Sequence, residues 1–245
     1  MEKQITTALQ YSGGKDSRTI LHMHKAHLDD ILVTWVNTGA SYPAVIKHMK
    51  ELKAQVPHFL EIKTNQPAQI AAHGFPTDVI PLHLTDVGRA CVKKPQGYTT
   101  VRLQSTFNCC AKNLWLPMQE AMKRRGITTI IRGQRQAEQY TAPFTDGHIE
   151  DGVTYLLPIE GWTDEQVFAY LKANNVPIPD YYLNGEGTSH DCWNCTGYLD
   201  TDQGRISNLP ETQRLEVVDR LVKIKAAIWQ ELRPLEVLLA QADCE

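Results

Sequence analysis

Near the start of the chain, Ser12-Gly13-Gly14-Lys15-Asp16-Ser17 combines the residue types that a small anion site needs. Gly13 and Gly14 tolerate positive φ and let backbone approach a ligand closely. Backbone N–H groups at a helix start, with the Ser12 and Ser17 hydroxyls, form a cradle of donors. Lys15 adds positive charge, and Asp16 sits where the helix dipole favours a carboxylate. The spacing is not that of the Walker loop, which places four residues between its glycines and Lys directly after the second. A second set of reactive residues lies far along the chain. Cys109 and Cys110 are adjacent, and Cys192-Trp193-Asn194-Cys195 is a C-x-x-C. Taken alone, the adjacent pair reads as two small buried apolar residues, and the C-x-x-C as a redox dithiol or half of a zinc site. Together, four thiols suit one metal centre, either iron–sulfur or structural zinc.

Elements must hold these groups in place. Ile5–Gln10 reads as a strand and Arg18–His27 as a helix with Ile20, Leu21 and Met23 toward a core. Strand, glycine turn, helix is the setting of a phosphate loop. Ile31–Asn37 is a nearly continuous apolar run, as in a buried parallel strand, and ends in the turn Asn37-Thr38-Gly39. Tyr42–Gln55 is helical and Phe59–Lys63 a short strand, giving β-α-β-α-β with ligand-type turns at the carboxyl ends of strands. Gln66–Ser105, with four prolines, reads as loops and short helices, a flap in which Cys91 lies. Cys109–Gly126 is a helix, Thr128–Arg132 a strand leading into Gly133-Gln134-Arg135, and Tyr155–Ile159 another strand. Thr163 and Gln166 form a capping box before a helix carrying Val167, Phe168 and Leu171. Asn208 and Glu211 form a second, before a helix running to about Arg233, where Pro234 kinks or ends it. Its apolar residues, among them Leu215, Val218, Val222, Trp229 and Leu232, read as core packing.

The pattern predicts a doubly wound, mostly parallel α/β sheet. Residues 1–180 are expected to form the nucleotide-binding domain, and residues 181–245 a cysteine loop and helical extension packed on it. The chain has 245 residues, 42% of them hydrophobic and 22% charged, with a net charge of −3. That is a soluble globular composition without the global basic field of a nucleic-acid binder. No apolar run approaches the roughly 18–20 residues of a membrane span. The N-terminus lacks the apolar core of a signal peptide, so a cytoplasmic location is expected. Six cysteines in such a compartment point to metal or redox chemistry rather than structural disulfides. The histidines are scattered, without the close spacing of a metal motif.

Ser12–Ser17 resembles the PP-loop of the adenine-nucleotide α-hydrolases. Within that superfamily, the adjacent cysteines, 81 intervening residues and the C-x-x-C followed by Thr196 resemble the cluster signature of the adenylyl-sulfate and phosphoadenylyl-sulfate (APS and PAPS) reductases. Asn37-Thr38-Gly39 with Tyr42-Pro43, Arg132–Gln139, Leu157-Pro158-Ile159 with Trp162–Val167, and Asn175-Val176-Pro177 are similar to further segments of that family, in order. Asn37 stands for its Asp and Gln139 for its Ser. The resemblance implies that Ser12, Gly13, Gly14, Lys15, Asp16, Ser17, Gly133 and Arg135 bind nucleotide phosphate or sulfate. It implies that Asn37, Thr38 and Gly39 line the adenosine pocket. Cys109, Cys110, Cys192 and Cys195 would hold a 4Fe–4S cluster.

The family's C-terminal E-C-G-(L/I)-H, which carries the nucleophilic cysteine, is missing. Cys244, in Asp243-Cys244-Glu245, is the sole tail cysteine, and its acidic neighbours raise a thiol's pKa. Three readings follow. The first is a sulfonucleotide reductase acting on APS or PAPS with thioredoxin or glutaredoxin. The second is an iron–sulfur ATP pyrophosphatase, using ATP and Mg²⁺ and a sulfur-donor protein to thiolate a nucleic-acid base. The third is a non-catalytic nucleotide-binding subunit. Homo-oligomerisation is compatible with each, and a membrane partner with none.

Overall fold

The structure, a computed structural model, describes residues 4–93, 101–138, 141, 143–183, 192–200 and 203–242. Expectations for Gln139 and Cys244 lie outside the described residues. In chain order the elements are β1 (Thr7–Gln10), α1 (Lys15–Met23), β2 (Ile31–Asn37), α2 (Pro43–Lys53), β3 (Phe59–Lys63), α3 (Gln66–His73), β4 (Phe75–Thr77), α4 (Asp86–Cys91), β5 (Leu103–Ser105) and α5 (Thr106–Cys110). There follow α6 (Leu116–Arg124), β6 (Thr129–Ile131), β7 (Ile149–Glu150), β8 (Val153–Leu156), α7 (Asp164–Ala173), α8 (Asp180–Leu183), α9 (Gln203–Ser207) and α10 (Glu211–Ala242).

The chain divides into two compact units, Met1–Thr64 with Leu114–Asp191, and Asn65–Asn113 with Cys192–Glu245. This differs from a single cut near residue 180. The proline-rich segment expected to be a flap contributes α3, β4, α4 and β5, and these share a unit with the C-terminal helix.

The first unit holds a six-stranded sheet of order β3-β2-β1-β6-β8-β7, parallel except for β7, which pairs antiparallel with β8. Its strands are apolar on both faces because both are covered. Ala8 lies level with Leu32 and Ile130, and these three pack with Ala121, Met122 and Ile127. Leu9, Val33 and Ile131, the next residues in register, point to the opposite face and are equally buried. On α1 the buried apolar residue is Ile20, whereas Met23 is exposed. The capping box of Thr163 and Gln166 is formed in full and starts α7, which buries Val167 and Leu171. The last parallel strand begins two residues earlier than expected. The buried Leu157 and Ile159 belong to the turn after it, so continuous apolarity there reflects burial rather than extended pairing.

The second unit contains a parallel pair, β4 and β5, and a core of Leu84, Leu103, Ile224 and Ala227, with Phe75, Ile80, Val101 and Ile228 against it. Strands of three residues are too short to show alternation, which is why they were not legible. Cys91 ends α4 and is exposed. α10 starts directly after Pro210, and Asn208 instead bonds back to Gly204 at the end of α9. α10 runs through Pro234 to Ala242. Pro234 removes one backbone donor, but strong helix formers flank it on both sides. Its buried residues are Val217, Ile224 and Ala227; of the residues expected to be core, Leu221 and Ile228 are half-buried, Ile228 against that cluster, whereas Leu215, Val218, Val222, Trp229 and Leu232 are exposed.

Candidate functional site

The loop between β1 and α1 occupies the carboxyl edge of the sheet, with Gly13 at φ 89°. Gly13 N donates to Ser17 Oγ at 3.0 Å, Ser17 Oγ donates to Gly14 O at 3.0 Å, and Gly14 N approaches Ser12 Oγ at 3.4 Å. Both serines therefore hold the loop's shape. The loop after β6 lies beside it, because β6 is the neighbour of β1 on the side away from β2. That is the point where strand order reverses, where sheets of this kind open a ligand crevice. A Cβ on Gly133 would sit 2.9 Å from the Asp16 carbonyl carbon and 3.1 Å from Ser17 N, so glycine permits this approach.

Across the crevice, charges interlock. Lys15 Nζ lies 2.9 Å from Asp16 Oδ2 and 3.1 Å from Asp164 Oδ1. Arg135 Nε reaches Asp16 Oδ1 at 2.7 Å, Nη2 reaches Asp164 Oδ1 at 2.7 Å, and Nη1 donates to Trp162 O at 3.2 Å. Arg135 is only 2% exposed and is held on three sides by carboxylates and a carbonyl. These three contacts fix the orientation of its guanidinium. For Asp164, burial works against ionisation, but the Lys15 hydrogen bond and the charges of Lys15 and Arg135 prevail and hold its carboxyl below the usual range. Burial, and then the Asp16 charge, push the Glu138 carboxyl up.

Three contributors were not singled out in the sequence. Asp164 follows the Thr163 cap, and its two neutralising contacts had no local signal. Tyr182, on α8, accepts from Lys15 N at 3.4 Å, and its ring lies 5.2 Å from Lys15 Nζ. Burial raises the Tyr182 phenol, so it stays protonated. His48, on α2, meets Tyr11 OH at 2.6 Å through Nε2. Burial lowers His48 to about 4 and raises the Tyr11 phenol, so the phenol donates to a neutral imidazole.

Asn37, Thr38 and Gly39 follow β2 at the same sheet edge. Gly39 N donates to Asn37 Oδ1 at 3.1 Å, Asn37 Nδ2 donates to Glu61 Oε1 at 2.8 Å, and Ala40 N reaches Thr38 Oγ1 at 3.3 Å. The amide of Asn37 thus both builds its own turn and ties it to β3, which a carboxylate could not do beside Glu61.

The cysteines belong to the second unit. Cys109 and Cys110 end α5, and Cys192 to Cys195 form a turn closed by Cys195 N on Cys192 O at 3.2 Å. Arg205 donates to the carbonyls of Cys192, Trp193 and Cys195, and Arg220 to that of Asn194. The two segments meet through Cys110 Sγ and Tyr198 OH, 3.5 Å apart, and through Gly197, where a Cβ would run into the Thr106 side chain. Tyr198 adopts φ 58°, a strained choice for an aromatic residue. Gly197 N lies 3.4 Å from Cys195 Sγ, and Asn113 Nδ2 lies 3.7 Å from Cys109 Sγ. Burial pushes the Cys109 thiol up to about 11. Among the described residues, no group of three or more His, Cys, Asp or Glu side chains is arranged to hold a metal ion. The donor chemistry nonetheless suits one: four thiols in one unit, with N–H and O–H groups beside three of the sulfurs.

A model of the phosphoadenosine phosphosulfate reductase domain matches residues 6–198, well over half of the chain. The chain belongs to this family. Among curated reductases of related type, the adenosine 5'-phosphosulfate reductase of Neisseria meningitidis is 33% identical over 154 residues, 61% of this chain and 55% of that protein. The phosphoadenosine 5'-phosphosulfate reductase of Proteus mirabilis is 25% identical over 178 residues, 72% of this chain and 65% of that one. The chain thus spans just over half the length of the first of these relatives. A crystal structure of phosphoadenylyl-sulfate reductase from Candida auris, in complex with phosphate, superimposes with TM-score 0.52 at 18% identity, over 78% of this chain and 83% of that one. This likeness shows the fold. No described helix is long and apolar enough to cross a membrane.

Proposed function

We propose that this member of the PAPS reductase family binds adenylyl sulfate, or its 3'-phosphorylated form, at Ser12–Ser17 and acts as a reductase on the sulfonyl sulfur. The observation that carries this reading is the pairing of Lys15 and Arg135 with Asp16 and Asp164 at the reversal point of the sheet. Lys15 meets the anion, aided by N–H groups at the start of α1. Arg135 fixes the two carboxylates so that Lys15 stays in place, and Gly133 keeps the crevice open to backbone. Asn37–Gly39 supplies the rigid turn beside the adenosine.

Cys109, Cys110, Cys192 and Cys195 would hold a 4Fe–4S cluster, with Arg205 and Arg220 fixing the turn that presents two of them. Such a cluster, when bound, supplies a redox-active and polarising iron–sulfur centre. In this reading a dithiol partner such as thioredoxin or glutaredoxin supplies both thiols. One thiolate attacks sulfur and displaces AMP, or adenosine 3',5'-bisphosphate from the 3'-phosphorylated form, giving a thiosulfonate. The second thiol displaces sulfite and leaves a disulfide on the partner. Cys244 is dispensable in this scheme.

The test is turnover of adenylyl sulfate with reduced thioredoxin, comparing the parent with Cys244→Ser. Sulfite and AMP from both is the expected result. Sulfite lost in the variant would restore the tail cysteine as nucleophile. No sulfite, with ATP and Mg²⁺ cleaved to AMP and pyrophosphate instead, would favour the thiolating reading.

A further inference from the structure

α10 has two apolar faces. One is buried through Val217, Ile224 and Ala227. The other is exposed: Leu215, Val218, Val222, Trp229, Leu232 and Leu239 are each at least 41% accessible, and Leu235, Val237 and Leu238 widen the exposed apolar surface toward the end of the helix. Together with Lys225 and Glu236, they recur at alternating steps of three and four residues, the spacing of a two-helix seam. An exposed apolar stripe this long on a soluble helix marks an interaction surface. Val222 to Leu239 covers about 26 Å at roughly 1.5 Å per residue.

The two charges in the stripe indicate what covers it. The pattern is symmetric about the point between Gln230 and Glu231. Val222 mirrors Leu239, Lys225 mirrors Glu236, and Trp229 mirrors Leu232. Two copies of α10 laid antiparallel therefore place Lys225 of each against Glu236 of the other, with Trp229 against Leu232 between them. A parallel alignment would oppose Lys225 to Lys225 and Glu236 to Glu236. The antiparallel arrangement is closed and two-fold, as an isologous interface requires. α10 lies beyond the residues matched by the family, so the interface is independent of the reaction proposed above.

We propose that the protein forms a homodimer through this face of α10, packed antiparallel in the register that pairs Lys225 with Glu236. The full chain is examined by sedimentation equilibrium as parent, Lys225→Glu, Glu236→Lys and the double reversal. The parent should be dimeric. Each single reversal opposes like charges twice and should raise the dimer Kd by about tenfold or more, and the double reversal should recover most of it. Trp229 emission should shift to shorter wavelength as the parent associates. Both substituted positions are exposed, and far-UV circular dichroism spectra should be unchanged. A parent monomeric throughout the concentration range would overturn the proposal and leave the face to another occupant. A dimer indifferent to both single reversals would place its interface elsewhere. Loss in the singles without recovery in the double would refute this register.

Discussion

Lys15 and Arg135 are both cations in one crevice, yet burial separates their tasks. Arg135 is enclosed by Asp16, Asp164 and the Trp162 carbonyl, and in the proposed function it works by positioning. Arg135→Ala should therefore lower stability as well as ligand affinity. Lys15 remains beside both carboxylates and Asp164 still reaches water, so the expected loss is about 1–3 kcal/mol, read from urea melts. Unchanged stability would show that the carboxylates do not depend on it. His48 gives a pH signature. Its pKa is about 4 in the folded protein, below the ordinary 6.5, so the unfolded chain binds more protons between those values. Its contribution to stability is present above pH 6.5 and is lost as pH falls toward 4. His48→Gln should flatten that part of the stability profile. The motif residues were legible because glycine, serine and lysine in that order have local meaning. Asp164, Tyr182 and His48 were not, because their partners lie far away in sequence and no spacing rule joins them.

β1, β2 and β6 deliver three turns to one sheet edge, and the approach between two of them depends on Gly133. Gly133→Ala would press a methyl group onto the backbone of Asp16 and Ser17. The side chain cannot relax away from backbone, so a cost of about 1–3 kcal/mol is expected, together with weaker nucleotide binding. A variant with parental melting temperature and affinity would mean that the loop is free to shift. At this scale the long parallel strands and the α7 capping box were readable from periodicity and cap chemistry. The exposed face of α10 was misread because apolar spacing reports that a face is amphipathic, without saying what covers it. β4 and β5 carried no readable period at all.

The proposed nucleotide crevice lies in one compact unit and the cysteines belong to the other. Sequence suggested a cut near residue 180. The contacts instead join residues 65–113 to the C-terminal segment, because Leu84 and Leu103 share a core with Ile224 and Ala227. Such long-range pairing has no signature in linear order. If the four cysteines hold a cluster, anaerobically purified protein should show visible iron–sulfur absorption, and a Ser at any one of the four positions should reduce or abolish it. Colourless protein carrying zinc would retain the ligand set and replace the metal.

The most direct measurement is calorimetric titration of adenylyl sulfate into the parent and into Lys15→Ala. Loss of one charge-assisted contact should cost about 1.5–3 kcal/mol, roughly a tenfold to hundredfold weaker Kd, with the melting profile largely kept. Equal affinity for adenylyl sulfate in parent and variant would contradict a nucleotide site at Ser12–Ser17.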